Sequence, residues 1–477
     1  MLKLTKIVAT IGPSCDSEEM IERLILGGVN VFRFNFKHNT IEWHNEKIKR
    51  VNEVAARLGK YVGTLIDLQG PEIRINMPYE EISIKKGEEI LFDQRIFETK
   101  EKGISITHPD IINHLIDGQK IYAEDGKFIF ILRKKDGKTY LTSDTTGTLK
   151  NKKNFNIPGA DFPLPSLVAR DLEGLKIAQR NEVDFVALSF VRSAHDIKLL
   201  RVEMKKKKVK SRVVAKIETK KAILNLTEII DEADVMMVAR GDLAIEATYE
   251  QVPFFQKRII VESIEKGKQV IVATQMLQSM IESPNPTRAE ISDVANAVYD
   301  YADAVMLSGE TAFGKYPLEA VSIMSRTIEF NEDKLIGDIR KSFDFFNKNK
   351  EEIITDAAYS LYLSTKEKSE IAAFLVFTKT GRTVRLISRF KPRIPIIAIA
   401  SNKEVADSLS INFGVIPLVF STANLEKKEI RQNKILEGIR MIKSRGLLKK
   451  GNRIIVLYGD YWDIEGLTST IKLADVN

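Results

Sequence analysis

Short apolar runs rich in β-branched residues alternate, over the first two thirds of the chain, with longer segments whose apolar positions recur every three or four residues. The segments between the runs, such as 17–26 and 42–58, have the period of amphipathic helices. Eight runs predict β-strands, at residues 7–11, 29–34, 62–67, 184–189, 212–217, 234–239, 269–274 and 303–308. Apolar strands flanked by helices are typical of a parallel sheet buried on both faces. Eight such units predict an α/β fold with a closed (β/α)8 TIM barrel.

A long interval, residues 75–169, breaks this alternation between the third and fourth strands. It contains short alternating strands and two tight turns with Asp-Gly corners, Asp125-Gly126 and Asp136-Gly137. Such corners are typical of β-hairpins, so the interval predicts a small all-β domain inserted into a barrel loop. The predicted boundaries are 1–74 with 158–335 for the barrel and 75–157 for the insert, a β-barrel lid.

A third unit follows the barrel. A charged stretch rich in Asn and Lys, residues 331–352, predicts a helical connector. Beyond it, apolar runs at 372–377, 394–400 and 453–458 predict strands separated by helices. This alternation predicts a C-terminal α/β domain over residues 350–477.

Length and composition restrict the class of protein. A chain of 477 residues is too long for one compact core, which predicts several domains. No run of eighteen apolar residues occurs and the N-terminus lacks a signal-peptide pattern, so we expect no membrane contact. The single cysteine, Cys15, excludes a disulfide framework within the chain and a cysteine zinc cluster. A reduced, cytoplasmic protein is predicted.

The net charge of +8 is small for this length. The densest basic run, residues 205–208, ends a helical segment and has no interleaved aromatic residues. It therefore predicts a solvated helix end and no nucleic-acid partner. A modest positive charge is enough to attract small anionic substrates.

Polar residues end every one of the eight apolar runs. They are Thr10, Arg33 with Asn35, Asp67, Ser189, Lys216 with Glu218, Arg240 with Asp242, Thr274, and Ser308 with Glu310. A single polar residue there is usually a helix cap. Barrel enzymes, however, build their active sites from the C-terminal ends of several strands. Eight polar strand ends that include Lys, Arg and acids predict an active site.

The composition of these strand ends indicates the chemistry. Glu218 and Asp242 follow adjacent strands and suit a hard divalent cation such as Mg²⁺. Lys216 lies two residues before Glu218, on the same side of its strand, where a point charge can stabilise a phosphoryl group in transfer. The alternative is that Lys216 and Glu218 form a buried ion pair with only a structural role. The sequence contains no nucleophile elbow, HExxH motif or metal-spaced histidine pair, which weakens hydrolytic and zinc chemistry.

Eight motifs distributed over nearly the whole chain resemble one known family, the pyruvate kinases. The motifs are TKIVATIGPS (5–14), GPEIR (70–74), SFVR (189–192), AKIET (215–219), MVARGDLA (237–244), ATQMLQSM (273–280), PTRAEISDVANAV (286–298) and MLSGETAFGKYP (306–317). The resemblance implies transfer of the phosphoryl group of phosphoenolpyruvate to ADP, giving pyruvate and ATP in glycolysis. A catalytically silent regulatory homologue and a metal-dependent barrel lyase are the alternatives. A silent homologue is expected to lack Lys216, a metal carboxylate or Thr274, and all are present.

The resemblance also implies a role for individual residues. Lys216 stabilises the phosphoryl group, Arg33 holds it, and Thr274 helps to protonate the enolate. Amides near Gly241 and Asp242 receive the carboxylate of the substrate. Glu218 and Asp242 bind Mg²⁺ or Mn²⁺. The implied nucleotide-binding residues are Thr10, Pro13, His38, Arg74 and Lys153, and the implied monovalent-cation pocket consists of Asn35, Asp67, Leu68 and Ser189.

Lys37 departs from the family pattern, which usually has serine in the monovalent-cation pocket. Arg33, Asn35 and Lys37 alternate along one strand and should lie on one side. An ammonium carries the charge of K⁺ and offers three donors, so Lys37 is predicted to replace K⁺. Glu72 is the acid that accompanies K⁺ dependence in the family, so its presence favours an enzyme that needs K⁺. The alternative for Lys37 is a side chain that faces solvent and has no role in the pocket.

The segment 377–383, FTKTGRT, follows an apolar run and precedes a helix. Its hydroxyls and its glycine predict a turn that can cradle a phosphate, although an ordinary strand-to-helix turn is the alternative. It resembles the effector-phosphate loop of the family, which implies a regulatory domain and a site at Thr378, Lys379, Thr380, Gly381, Arg382 and Thr383. Residues 459–470 depart from the glycine-rich C-terminal segment that is usual in the family, so the sequence does not identify the effector. The resemblance also implies a homotetramer.

Overall fold

The computed structural model describes residues 3–99, 101–124, 126–159, 162, 164–335, 338–345, 349–365, 371–419, 430–459 and 468–476. The strands are β1 (Lys6–Thr10), β2 (Val31–Asn35), β3 (Gly63–Asp67), β4 (Ile75–Asn76), β5 (Glu81–Ile84), β6 (Glu89–Phe92), β7 (Gly103–Ile106), β8 (Lys120–Ala123), β9 (Phe128–Lys135), β10 (Lys138–Ser143), β11 (Gly147–Lys150), β12 (Phe155–Asn156), β13 (Phe185–Leu188), β14 (Arg212–Ile217), β15 (Val235–Ala239), β16 (Gln269–Ala273), β17 (Ala304–Leu307), β18 (Ile371–Thr378), β19 (Ile396–Ala400), β20 (Val415–Val419), β21 (Arg453–Gly459) and β22 (Thr468–Asp475).

The α-helices are α1 (Glu18–Leu26), α2 (Ile41–Arg57), α3 (Ile96–Thr99), α4 (Ile111–His114), α5 (Ala169–Arg180), α6 (Ala194–Lys206), α7 (Lys220–Leu224), α8 (Leu226–Glu232), α9 (Arg240–Glu246), α10 (Val252–Glu265), α11 (Arg288–Tyr299), α12 (Gly309–Ala312), α13 (Pro317–Glu332), α14 (Lys350–Thr365), α15 (Arg382–Ser388), α16 (Lys403–Ser408) and α17 (Ile430–Ser444). Short 3₁₀ turns lie at Tyr249–Gln251, Gln278–Ile281 and Ile339–Lys341.

Eight parallel strands, β1 to β3 and β13 to β17, close into a barrel. Apolar residues such as Val8, Leu65 and Met237 fill its interior, while alternate strand residues pack against the surrounding helices. Every residue of β3 and β15 is buried, as expected for strands covered on both faces. The predicted barrel is therefore confirmed, with strand ends that differ by one or two residues from those predicted.

A second, mostly antiparallel sheet lies between β3 and β13 in the chain, in the order β12-β8-β9-β10-β6-β7-β4, with β11 and β5 forming a separate pair. The predicted hairpin turn between β9 and β10 is present, with positive φ angles of 48° at Asp136 and 71° at Gly137. Asp125, in the other predicted turn, lies outside the described residues. One isolated bridge, Arg74 with Asn154, joins the residues preceding the two outermost strands. Backbone hydrogen bonds from Ile75 to Lys153, at 2.8 Å, and from Phe155 to Ile73, at 2.9 Å, join the same two segments.

The C-terminal α/β unit is also confirmed, and its sheet has the order β20-β19-β18-β21-β22. The sequence patterns missed β20 and β22. Both are edge strands, and β20 contains Pro417, which cannot donate a ladder hydrogen bond. The predicted helical connector over 331–352 is wrong. Helix α13 ends at Glu332 and α14 begins at Lys350, and the described residues between them contain only the 3₁₀ turn at Ile339–Lys341.

Buried charges join the base of the barrel to the C-terminal unit. Lys391 forms a 2.7 Å ion pair with Asp303, and the two side chains are only 1% and 3% exposed. The Asp303 carboxylate also accepts hydrogen bonds from the amides of Val270, at 3.0 Å, and Phe413, at 3.2 Å. The Lys6 ammonium donates to the Val415 carbonyl across the same boundary, at 2.8 Å. The two units are therefore packed tightly at this point.

Candidate active site

Arg33 lies at the C-terminal end of β2, where its guanidinium is held from two sides. Its Nε and Nη2 donate to Asp67 Oδ2 at 2.8 and 2.6 Å, and its Nη1 donates to Thr10 Oγ1 at 2.9 Å. Thr10 in turn donates to the Leu307 carbonyl at 2.9 Å. Two donors that converge on one carboxylate oxygen, together with a third on a hydroxyl, fix the orientation of a guanidinium. Arg33 is thereby oriented before any substrate arrives.

Lys216 lies at the same end of the barrel, on β14. Its ammonium donates to Ser189 Oγ at 2.8 Å and lies 3.3 Å from Asp67 Oδ1 and 3.4 Å from Glu218 Oε2. Burial alone would raise the pKa of Asp67, but the charges of Lys216, Arg33 and Lys37 lower it to about 2. Asp67 is therefore an anion that positions both cations.

The two carboxylate oxygens of Glu218 differ in their hydrogen bonds. Oε1 accepts the Phe190 amide at 2.5 Å, whereas Oε2 is buried and accepts no hydrogen bond from the described residues. Burial raises the pKa of Glu218, Lys216 opposes the shift, and the negative charge of Asp242 adds to it. A buried carboxylate with an unused oxygen is costly unless a cation or proton joins it.

Glu218 and Asp242 have the donor chemistry for a hard divalent cation. Asp242 lies in the first turn of α9 and lines a cleft above the barrel. Within the described part of the chain, no three His, Cys, Asp or Glu side chains are grouped to hold a metal ion. Mg²⁺ is commonly bound by only one or two carboxylates, with substrate oxygens and water completing its shell. Glu218 Oε2, which accepts no hydrogen bond from the described residues and lies 3.4 Å from the Lys216 ammonium, fits such an ion.

Thr274 follows β16 in a strained conformation that Arg240 stabilises. Thr274 and Gln275 have positive φ angles of 70° and 55°, which are costly for residues with a Cβ. Arg240 donates to the Thr274 carbonyl at 2.6 Å and to the Gln275 carbonyl at 3.2 Å. The Thr274 hydroxyl accepts the Gly241 amide at 2.9 Å. This arrangement brings Thr274 to the first turn of α9, beside Asp242.

Two acids in the family-like motifs are positioning residues. Glu310 accepts the amides of Leu277, at 3.0 Å, and Ser308, at 2.8 Å. Glu290 forms a capping box with Thr287 at the start of α11 and also accepts the Ser279 amide at 2.7 Å. Both therefore fix the loop that follows Thr274. A sequence pattern identifies the capping box, but the contact with Ser279 depends on the fold.

A cleft of about 370 Å³ lies between the barrel face and the second sheet. His38, Arg74 and Lys153, from the predicted nucleotide-binding set, line it together with Asp242. The other two members of that set are not among its lining residues. Thr10 is buried beneath Arg33, and Pro13 is exposed on the loop after β1. Sequence reasoning also missed Phe162, Arg192 and Glu246, which line the cleft from three separate segments.

The predicted monovalent-cation residues lie beside Lys216. Ser189 Oγ donates to the Leu68 carbonyl at 2.8 Å and lies 3.3 Å from Asp67 Oδ1. The Asn35 side chain accepts the backbone amide of Lys37 at 3.2 Å. Asn35 also pairs with Asp67 between β2 and β3, so the four residues lie in one region at the ends of β2, β3 and β13.

The Lys37 ammonium points toward Glu72, with 2.5 Å between Nζ and Oε1. It also lies 5.3 Å from the centre of the Phe190 ring, and its side chain is 16% exposed. Burial alone would lower the pKa of Lys37, but the negative charges of Glu72, Asp242 and Glu218 raise it above its ordinary value. Glu72 also pairs with Arg74 at 2.7 Å, and these two cations outweigh its burial and lower its pKa.

The segment 377–383 forms the turn from β18 to α15. Thr378 Oγ1 accepts the Gly381 amide at 2.9 Å, and Gly381 has a φ of 81°, which explains the glycine. Thr383 shares a 2.6 Å hydrogen bond with Thr468, and Arg382 pairs with Glu351 at 2.6 Å. Most residues of the segment 459–470 lie outside the described residues.

A closed barrel that carries an oriented arginine, a buried lysine and two carboxylates at one end defines an enzyme that acts on an anionic substrate. The family model of the pyruvate kinase barrel domain matches residues 2–321, and that of the pyruvate kinase alpha/beta domain matches residues 356–474. The chain belongs to the pyruvate kinase family.

Full-length relatives agree with this assignment. Pyruvate kinase of Geobacillus stearothermophilus is 37% identical over 479 residues, which cover 99% of this chain and 80% of the relative. Pyruvate kinase of Staphylococcus aureus strain USA300 is 38% identical over 478 residues, with the same coverage. The function is accordingly that of a phosphotransferase with pyruvate kinase activity, and the silent-homologue alternative is not supported. No helix within the described ranges is long and apolar enough to cross a membrane.

Proposed function

We propose that this chain transfers the phosphoryl group of phosphoenolpyruvate to ADP at the barrel face, with Lys216 as the central catalytic residue. The observation that supports this role is the buried ammonium of Lys216, held between Ser189, Asp67 and Glu218. A coupled assay of pyruvate release from phosphoenolpyruvate, with and without ADP, tests the activity. Release that does not require ADP would contradict phosphoryl transfer and favour a lyase.

The proposal assigns a binding or catalytic role to each polar group at the barrel face. Arg33, oriented by Asp67, binds the phosphate of the substrate, and Lys216 offsets the charge that develops as the phosphoryl group leaves. The first turn of α9, at Gly241 and Asp242, receives the carboxylate of the substrate. The Thr274 hydroxyl, held against the Gly241 amide, helps to deliver a proton to the enolate carbon, directly or through water.

Glu218 and Asp242 would hold the divalent cation, Mg²⁺ or Mn²⁺. When bound, the cation supplies positive charge to the phosphate oxygens and limits their repulsion. The protein contributes Glu218 with a fixed orientation, since the Phe190 amide holds one oxygen, while the other accepts no hydrogen bond from the described residues and lies near Lys216.

Glu218→Gln is expected to raise the Mg²⁺ concentration for half-maximal activity by about tenfold or more, because an anionic ligand is lost. Titration of Mn²⁺ binding to the protein alone, followed by electron paramagnetic resonance, should give a parallel loss of affinity. Glu262→Gln, in a partly exposed helix pair with Arg258, is the matched control. Wild-type metal titrations for Glu218→Gln would place the cation elsewhere.

The ADP side of the reaction is proposed for the cleft between the barrel and the second sheet. His38, Arg74 and Lys153 line it beside Asp242, so cationic groups face the place where nucleotide phosphates would meet the substrate. Thr10 contributes indirectly, through its hydrogen bond with Arg33. Pro13 remains in the proposal only through the family resemblance.

We propose that Lys37 replaces the monovalent cation that members of the family use. The support is electrostatic: its ammonium pairs with Glu72 and is also stabilised by the charges of Asp242 and Glu218. A fixed positive charge at this position would offset the acidic side of the site as K⁺ does. The contact with Glu72 also explains why this chain keeps the acid that accompanies K⁺ dependence, since Lys37 neutralises it.

The K⁺ requirement tests this role. Wild-type enzyme is expected to keep most of its rate in a K⁺-free tetramethylammonium buffer, whereas Lys37→Ser should need added KCl. The expected activation of Lys37→Ser is about tenfold or more, because it would lack both cations. Lys176→Ser, which removes an exposed lysine on α5, is the control. Wild-type enzyme that is nearly inactive until K⁺ is added would refute the replacement.

The remaining assignments belong to the same proposal. We propose that residues 378–383 bind the phosphate of an allosteric effector, in a regulatory domain spanning 350–477. A homotetramer in the cytoplasm is the expected assembly and location. The boundaries 1–74 with 158–335 and 75–157 stay predictions.

A further inference from the structure

Two carboxylates from different units lie beside the same strand at the base of the barrel. Asp184 directly precedes β13, and Asp407 lies in α16 of the C-terminal unit. Helix α16 and the residues after it pack against the start of β3, where a Cβ at Gly63 would clash with Ser410 Oγ and lie 3.3 Å from the Asp407 carbonyl oxygen. Thr64, the next residue of β3, donates to Asp184. Both acids therefore lie at the joint between the two units.

Asp184 is hydrogen-bonded through Oδ2. This oxygen accepts the amide of Thr64 at 2.8 Å and its hydroxyl at 3.0 Å. Burial raises the pKa of Asp184 to about 8, and the negative charge of Asp407 adds to the rise. Two carboxylates in one buried region repel each other as anions, so such a pair retains a proton. Asp184 is therefore the member of the pair that is protonated at neutral pH.

Asp407 has a cation on one carboxylate oxygen and no donor on the other. The Lys403 ammonium donates to Oδ2. Oδ1 is buried and accepts no hydrogen bond within the part of the chain that the structure describes. Burial raises the pKa of Asp407, although Lys403 and the nearby Val62 amide oppose the rise. A buried acceptor without a donor is costly, and the O–H of a second carboxyl group is a donor that can satisfy it.

The other charged side chains near Asp184 line a cavity between the base of the barrel and the C-terminal unit. The acids are Glu182, Asp234 and Glu404, and the cations are Arg201, Lys208, Lys210, Arg212 and Arg385. Arg201 pairs with Asp234 at 2.9 Å, and Lys210 reaches Glu404 at 3.6 Å. Lys403 is the cation that acts on both Asp184 and Asp407, and Glu182 acts on Lys403 as well. One ammonium thus offsets two buried carboxylates.

We propose that Asp184 and Asp407 share one proton at neutral pH, and that loss of this proton loosens the C-terminal unit from the base of the barrel. The O–H of Asp184 donates to Asp407 Oδ1, directly or through water. When the proton passes to solvent, both side chains are anions and repel each other across the joint. The joint does not depend on the proposed catalytic roles, because Asp184 and Ser189 lie at opposite ends of β13.

Difference infrared spectroscopy of the full chain detects the shared proton. The C=O stretch of a protonated carboxyl, in wild type minus Asp184→Asn, is expected to disappear as the pH rises through about 8. The subtraction separates this band from that of Glu218, whose pKa is also raised by burial. Glu173→Gln, on the exposed surface of α5, is the control and should leave the titration unchanged.

Two further variants should move this titration in opposite directions. Lys403→Met is expected to move it to higher pH, because the cation that favours the anions is removed. Asp407→Asn is expected to move it to lower pH, because Asp184 then has no acidic partner in the pair. A salt bridge between Lys403 and Asp407 that acts independently of Asp184 predicts neither shift.

Hydrogen exchange of residues 403–412 measures the loosening. The pKa of Asp184 in the folded chain lies above its ordinary value of 3.8, so the stabilisation from its proton is lost as the pH rises toward about 8. After correction for intrinsic exchange, the opening constant of this segment in wild type should rise by up to about tenfold per pH unit between about pH 6 and 8. Asp407→Asn should remove most of this dependence, because only one anion can then form.

Three results would overturn the proposal. The first is an infrared spectrum of Asp184→Asn that matches wild type at neutral pH. The second is a titration that neither Lys403→Met nor Asp407→Asn moves, and the third is an opening constant that depends on pH no more in wild type than in Asp407→Asn. If Asp184→Asn does not fold, the pH-difference spectra of the other two variants decide the question.

Discussion

Lys216→Met is expected to lower kcat by about a thousandfold, the typical effect of removing a charge that stabilises the transition state. The Lys216 ammonium is 6% exposed and is held by Ser189 at 2.8 Å, so no solvent cation occupies its place as effectively. Methionine retains the length and packing of the lysine stem. Asp67 keeps its contacts with Arg33, which limits the effect on folding.

Stopped-flow assay of pyruvate formation under saturating substrates measures this loss, and thermal unfolding of the same samples tests whether the fold is intact. Lys176→Met is the matched control, since that lysine is 56% exposed and forms a helix-surface pair. Retention of more than about a tenth of wild-type turnover, a loss under about 1.4 kcal/mol, would contradict the assignment. A purely structural ion pair would instead lower the unfolding temperature and spare the rate of the folded fraction.

Asp303→Ala is expected to lower the free energy of unfolding by about 3–5 kcal/mol, because it leaves the Lys391 ammonium buried without its counter-charge. The substitution also leaves the amides of Val270 and Phe413 without their acceptor. Since Asp303 lies at the base of the barrel, the rate per folded molecule should change little. Denaturant unfolding followed by tryptophan fluorescence and by circular dichroism measures the loss.

A double variant separates charge burial from packing. Asp303→Ala combined with Lys391→Met should recover part of the lost stability, because the uncompensated ammonium is removed. The exposed pair Lys176 with Glu173 provides the reference, and breaking it should cost about 0.5 kcal/mol or less. Equal costs for the buried and the exposed pair would mean that Asp303 does not hold the two units together.

Local sequence patterns were enough to predict the strands that are buried on both faces. The barrel strands were predictable because each is an apolar run between amphipathic helices, and such runs have few other stable placements. Edge strands β20 and β22 were missed because a strand with one neighbour tolerates proline and polar residues. The stretch 331–352 was misread because helical composition is a weak guide where no packing partner is available.

The same distinction applies to the sites. Strand-end residues such as Arg33, Lys216 and Glu218 were identifiable from the sequence, because a barrel brings the C-terminal ends of all its strands to one face. Their individual partners were not. Asp67 was predicted as a polar strand end and, by the family resemblance, as part of the monovalent-cation pocket, yet it accepts Arg33 and lies 3.3 Å from Lys216.

The sequence by itself determined the barrel, the second sheet, the C-terminal α/β unit and the set of polar residues at the catalytic face. It did so because hydrophobic period and strand-end position are local properties of the chain. Only the tertiary structure decided that Lys37 meets Glu72, that Lys391 meets Asp303, and that Arg212 and Arg385 line one cavity. The two ion pairs join residues 35 and 88 positions apart, and charge interactions depend on distance and burial in space, which no local pattern encodes.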